Sequence, residues 1–281
     1  RYIVTAGDGD MLAEACLSGK PVALFELPRW HDDIPVVRPV ARAVLSLLGG
    51  ETPVEATLTG TLHLAPGKDP LTPTRVGACI TVAAPGSPQL LTYTRVVNPS
   101  AQPAWMYWWT NIAVPEAPGT RVLAPADDVI YLDDFRDLSF GAASMPDLPS
   151  LPGRDASYAL NFPFANEFFF QCEAAALPWQ AALDAGGAGL FEASTPRLAY
   201  RKLFCWGTHT GGRRWQEFLS EPGQAYLEIQ GGLAPTQLHS QPMPPHSAWD
   251  WSQAFGLLAT DPTDAHNADW GAARRAVGRA V

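Results

Sequence analysis

The chain has 281 residues, 47% of them hydrophobic, with 27 Pro and 24 Gly spread along its length, enough for one large loop-rich β domain or two ordinary ones. Its formal net charge is −9, and the 19 Lys and Arg are scattered, with no run longer than the pairs Arg213–Arg214 and Arg274–Arg275. Such a surface argues against nucleic acid and anionic membrane as partners, and no apolar stretch approaches the ~20 residues of a membrane span.

The first fifty residues read as α/β. Residues 2–5 form a short apolar strand, and 6–10 a turn containing Gly7 and Gly9. Residues 11–18 suit a helix, with Asp10 to cap it and Gly19 to end it. Residues 21–27 (PVALFEL) form a second strand, so the two strands should run parallel. A second helix is expected over 34–48, where Val37, Val40, Ala41, Val44, Leu45 and Leu48 recur at helical spacing. The string YIVTAGDGDMLAEACLSGKPV resembles the nucleotide-facing βαβ unit of GT-B glycosyltransferases of the mitochondrial-fission-protein-like family, over residues 2–28. That resemblance implies a diphosphate-binding turn, but Asp8 and Asp10 stand where phosphate oxygens would sit. A remnant without a tight nucleotide site is expected. The chain opens on Arg1 and shows no leader, as a piece of a longer protein would.

Beyond residue 50 the pattern turns to strands. Residues 54–64 alternate apolar with small polar side chains, and further strands are expected at 77–83, 90–97, 105–114, 120–123, 168–172, 189–193, 203–206, 224–230 and 233–239. Their separators are rich in Pro, Gly, Asn and Asp, which implies an antiparallel sandwich or barrel. Residues 133–154 read as a Pro-rich loop, and the Ala- and Arg-rich tail from about 262 as the start of a helix. The expected division is therefore 1–50 and 51–281. Cys16, Cys79, Cys172 and Cys205 show no CxxC spacing. They read as buried, reduced thiols of a cytoplasmic protein, with no metal and no cofactor expected.

Seven of the ten tryptophans gather in three clusters. Trp105, Tyr107, Trp108 and Trp109 precede Asn111; Trp206 and His209 precede Arg213, Trp215 and Gln216; His239 and His246 precede Trp249 and Trp251. A sugar site wants aromatic platforms beside amides, carboxylates, Arg and His, although the same rings would also fill a thick sandwich core. In Tyr226-Leu227-Glu228-Ile229-Gln230, alternation puts Glu228 and Gln230 on one face beside Tyr226. A carboxylate there serves acid–base chemistry if it is partly desolvated, or belongs to a plain solvated face. Asp155 and Glu167 are candidate second carboxylates for glycoside chemistry. A turn at Gly231-Gly232 would fold His239 back toward Glu228, and Arg201 or Arg213 would orient sugar hydroxyls. HExxH, GxSxG and P-loop motifs are absent.

The motifs NPSAQPAWMYWWTNIAV, RVLAPAD, GRDASYALNFP, RKLFCWGTHTGGRRWQEFLS and YLEIQGGLAPTQLHSQPMP resemble, in order over residues 76–256, an uncharacterised domain family. Its members often stand beside tetratricopeptide repeats in bacterial proteins and share the galactose-mutarotase-like supersandwich. The resemblance implies a mainly β fold, carbohydrate as partner, and tetratricopeptide-repeat regions in a parent chain. The family's N-terminal strands are largely replaced here by the βαβ segment, so the supersandwich is expected to be incomplete. Three functions stay open: a glycoside-processing enzyme (hydrolase, lyase or epimerase type), a noncatalytic sugar-binding module, and a remnant of a nucleotide-sugar transferase. Catalysis would draw on Glu228, His239 and Asp155. Sugar contacts would come from Trp108, Trp109, Asn111, Arg201, Trp206, His209, Arg213, Trp215 and Gln230.

Overall fold

The computed structural model describes residues 89–133, 139–172, 177–221 and 223–281, with strand backbone at 2–4, 22–24, 56–63 and 76–83. The chain forms two compact units: Arg1–Met106 with Pro242–Ala254, and Tyr107–Gln241 with Phe255–Val281.

In the first unit β1 (Tyr2–Val4) and β2 (Val22–Leu24) pair in parallel, as the strand–helix–strand reading requires. The helices expected at 11–18 and 34–48 and the turn at Asp8 and Asp10 lie outside the described residues. β3 (Ala56–His63), β4 (Val76–Ala83) and β5 (Gln89–Asn98) form an antiparallel ladder. It continues to β17 (Ser247–Ala259), a strand that begins in the first unit and ends in the second. β6 (Ala104–Met106) pairs with β16 (Gln241–Met243). Asn98, fully buried, anchors these segments by donating to the carbonyls of Gln102, Met243 and Pro244.

The second unit is a two-layer antiparallel structure. One layer runs β10-β9-β11-β14-β15-β7, built from β7 (Trp109–Pro115), β9 (Asp128–Asp133), β10 (Ser139–Ser144), β11 (Asn166–Phe170), β14 (Tyr200–Cys205) and β15 (Tyr226–Gly232). The other holds β8 (Arg121–Leu123), β12 (Trp179–Leu183), β13 (Ala188–Ser194) and the end of β17. Strand alternation fixes the inner face. Ile112, Val114, Phe168, Phe170, Leu203, Cys205, Leu227 and Ile229 are buried there. Gln180 of β12 crosses between the layers, its Nε2 donating to the Lys202 carbonyl at 3.0 Å.

Helix α1 (Thr210–Leu219) follows β14, and α2 (Pro262–Ala265) and α3 (Trp270–Gly278) end the chain. Asp261 and Asp269 cap the last two through their side chains. The expected terminal helix is therefore present, with Trp270 stacked on Phe170 at 6.3 Å. Among the described residues no helix is long and apolar enough to cross a membrane.

Three expectations need correction. Residues 105–114 do not form one strand; the chain breaks between β6 and β7 at Tyr107 and Trp108. The segment expected to be loop at 133–154 contains β10, paired with β9. Residues 233–239 form no strand, because Gly231 and Gly232 stay inside β15, paired with β14 and β7, and make no hairpin turn.

Candidate functional site

The outer face of the six-stranded layer collects polar and aromatic side chains by register. Gln230 lies opposite Asn111 and Lys202, and Glu228 opposite Ala113 and Phe204. Glu167 lies opposite Phe204, and Phe169 opposite Lys202. One row therefore reads Glu167, Phe204, Glu228, and the next Phe169, Lys202, Gln230, Asn111.

These side chains form one connected network. Glu228 Oε2 accepts from Asn111 Nδ2 at 2.8 Å and from Gln230 Nε2 at 3.0 Å. Gln237 Nε2 donates to Gln230 Oε1 at 2.6 Å, and Lys202 Nζ donates to Gln237 Oε1 at 2.6 Å. Lys202 also forms an ion pair with Glu167. Its ammonium lies 5.4 Å from the ring centroids of both Phe169 and Phe204, within cation–π range. Two amides thus orient the Glu228 carboxylate, while an almost fully buried Lys202 orients Glu167.

Aromatic rings flank the network on both sides. Trp109 is edge-on to Phe169 at 5.8 Å and covers Gly232, where an added Cβ would sit 2.4 Å from the indole. Tyr107 is half-exposed; burial, then the charge of Glu167, raises its phenol above the ordinary value. On the other side Trp206 meets Phe204 at 4.8 Å and Tyr226 at 6.3 Å. Trp109 Nε1, Trp206 Nε1 and Asn111 Oδ1 are buried polar atoms that no group among the described residues meets. Such atoms are uncommon in a settled interior.

Solved structures share this architecture. A candidate aldose 1-epimerase from Klebsiella pneumoniae matches with a TM-score of 0.53 at 14% identity, over 79% of this chain and 54% of its own. Another, from Escherichia coli K12, matches with a TM-score of 0.51 at 10% identity, over 74% and 69%. The fold is the galactose-mutarotase-like sandwich. A TPR-domain containing protein from Parabacteroides distasonis also matches, with a TM-score of 0.51 at 18% identity, over 66% of this chain and 32% of its own. The chain thus spans about a third of that protein's length and about half of the Klebsiella protein's. No family model and no curated protein matches the sequence.

On this galactose-mutarotase-like sheet the expected residues divide. Glu228, Gln230, Asn111, Trp109 and Trp206 come together on the outer face, and Trp215 on α1 joins them through Trp206, with ring centroids 6.0 Å apart. Trp108 is half-buried in the break just before β7, where its carbonyl accepts from Leu233 N. Arg201 is a correction. It is fully buried on the inner face, where its guanidinium donates to the carbonyls of Leu198, Tyr200 and Pro178 and to Ser194 Oγ. A buried Glu192 lies 3.7 Å away. Asp155 is a second correction, since it belongs to the β8 side, accepting from Arg121 at 3.2 Å and from Ser157. Arg213 is engaged with Glu116 at 2.5 Å and Gln216 at 2.6 Å, which ties down α1. His209 is exposed at the N-cap of α1, tilted against Phe164. His239 is exposed too, its Nδ1 bonded to Thr236 Oγ1 at 2.7 Å. It lies two residues beyond Gln237, the residue that reaches the network.

Sequence reasoning missed Lys202 and Gln237. Lys202 shares strand parity with Phe204 and Trp206, a signal present in RKLFCW. Gln237 lies in an irregular segment, where no periodicity points to it. An open cavity of about 480 Å³, lined by Gly119, Tyr158, Ala185, Pro262, Thr263 and His266, shares no residue with this network.

Proposed function

We propose that the outer face of the six-stranded layer binds a carbohydrate and that Glu228 moves a proton at the anomeric centre. Glu228 supports this reading: its half-buried carboxylate stands on the outer sheet face, oriented by two amides and flanked by aromatic rings. Amides match sugar hydroxyls, and ring faces match the apolar C–H faces of a pyranose. Glu167 lies in the same row two strand spacings away, about 9.6 Å at the backbone. Two carboxylates on one face are what acid–base chemistry across a glycosidic bond uses. The name of the Klebsiella and Escherichia structural neighbours, aldose 1-epimerase, describes chemistry at the same sugar atom.

The test is a glycan array together with turnover assays on aryl glycosides and free aldoses. Wild type is expected to bind a sugar, and Glu228→Gln to keep that binding while losing turnover about a hundredfold or more, the usual size of a lost acid–base group. Binding with no turnover to lose would reduce the domain to a sugar-binding module. Wild type that binds no sugar would overturn the proposal.

A further inference from the structure

Helix α1 has its amphipathic sense reversed. Its buried residue is Gln216, whose Nε2 donates to the Tyr226 carbonyl at 2.8 Å and to Glu116 at 3.3 Å. Arg213 adds its own bond to Glu116, so polar contacts hold the helix to the sheet. Its apolar side chains face outward: Trp215 is 54% exposed, Phe218 78% and Leu219 49%. Folding gives no reason for that placement, since each ring stays largely in water.

The exposed rings continue the sheet face without a break. Tyr226 and Phe204 adjoin Glu228, and both touch Trp206. Trp206 stacks on Trp215 with planes 21° apart, and Trp215 meets Phe218 at 6.1 Å. Gly211, one turn before Trp215, leaves open space, with no atom within 4 Å of where its Cβ would be.

We infer that Trp215 and Phe218 extend the site into a platform for a chain of sugars, so that its substrate class is a neutral oligo- or polysaccharide and not a free monosaccharide. This rests on the reading of the sheet face as a carbohydrate site. Charge supports a neutral ligand: Arg213 is matched by Glu116, and the exposed Arg214 and Glu217 cancel each other formally.

The experiment is calorimetry with malto-, cello-, xylo- and manno-oligosaccharides of one to six rings, on wild type and Phe218→Ser. Because Phe218 is so exposed, the variant should fold, which its melting temperature checks. In the series that binds, the hexamer is expected to bind wild type more tightly than the monomer. Phe218→Ser is expected to shrink that ratio about three- to tenfold, the size of one aromatic contact. A hexamer bound no more tightly than the monomer would overturn the inference and leave the sheet-face reading standing. So would an unchanged ratio in Phe218→Ser. No binding at any length would sink both. A self-association in sedimentation that Phe218→Ser abolishes would assign the patch to a second copy of the chain and overturn the inference.

Discussion

Arg201 and Lys202 are adjacent in the chain and serve opposite sides of one sheet. Arg201 spreads its planar fork over three carbonyls and a hydroxyl in the interior, a task that suits guanidinium better than ammonium. Cys172 lies in the field of Arg201 and Glu192. Burial pushes its thiol up to about 11 from an ordinary value near 9, with Arg201 lowering it and Glu192 raising it. At pH 8 its thiolate fraction should be about a hundredth of that in the unfolded chain, so iodoacetamide should label it correspondingly slowly. Peptide mapping by mass spectrometry checks this, and equal labelling of native and unfolded protein would contradict it. The sign for stability follows. Above pH 9 the unfolded thiol ionises first, so this contribution is intact below that value and is lost as pH rises toward 11. Alternation in YLEIQ made the shared face of Glu228 and Gln230 legible. Parity alone does not say which side of a strand is the interior, and that is why Arg201 was expected among sugar contacts.

Two consecutive glycines make β15 fit both its neighbours. A Cβ on Gly231 would sit 2.3 Å from Glu192 Oε1 on the inner side, and one on Gly232 would sit 2.4 Å from the Trp109 indole on the outer side. Gly-Gly between Gln230 and Leu233 reads as a turn, yet here it permits close approach within a strand. Gly231→Ala is therefore expected to lower stability by about 1–3 kcal/mol, as overpacking does. Gly232→Ala should displace Trp109, changing tryptophan fluorescence and weakening sugar binding; urea unfolding and titration separate the two. If Gly232→Ala binds sugar as wild type does, Trp109 is not part of the platform. Other elements escaped the sequence for equally physical reasons. All five residues of β12 are buried, so it shows no alternation. In α1 the apolar side is the exposed one, so its rings stood out while the helix did not. The Leu233–His239 region carries no clear alternation, and the backbone of β15 already has both its partners.

At the scale of the molecule, the ordered motifs between residues 76 and 256 made the mainly β, galactose-mutarotase-like sandwich legible, because each motif marks a strand or turn that the layers need in sequence. The pairing of distant strands was not legible, since nothing local in β7 names β15 as its partner. That pairing has a consequence during synthesis. Asn111 and Glu228, which share a hydrogen bond, are 117 residues apart. At ~5–20 residues per second the ribosome needs about 6 to 23 s to make the intervening chain. Through that interval β7 has no partner, and the edge of β14 is open from its own synthesis until β15 is made. Nascent chains stalled before Tyr226 are expected to be cut readily by protease, and chains extended through Val281 to resist. Resistance already present before β15 is made would show that the layer closes some other way. A cell making this protein must shield an unpaired strand for seconds, so its yield should depend on chaperone supply and on translation speed between residues 115 and 226 more than on the final strength of the fold.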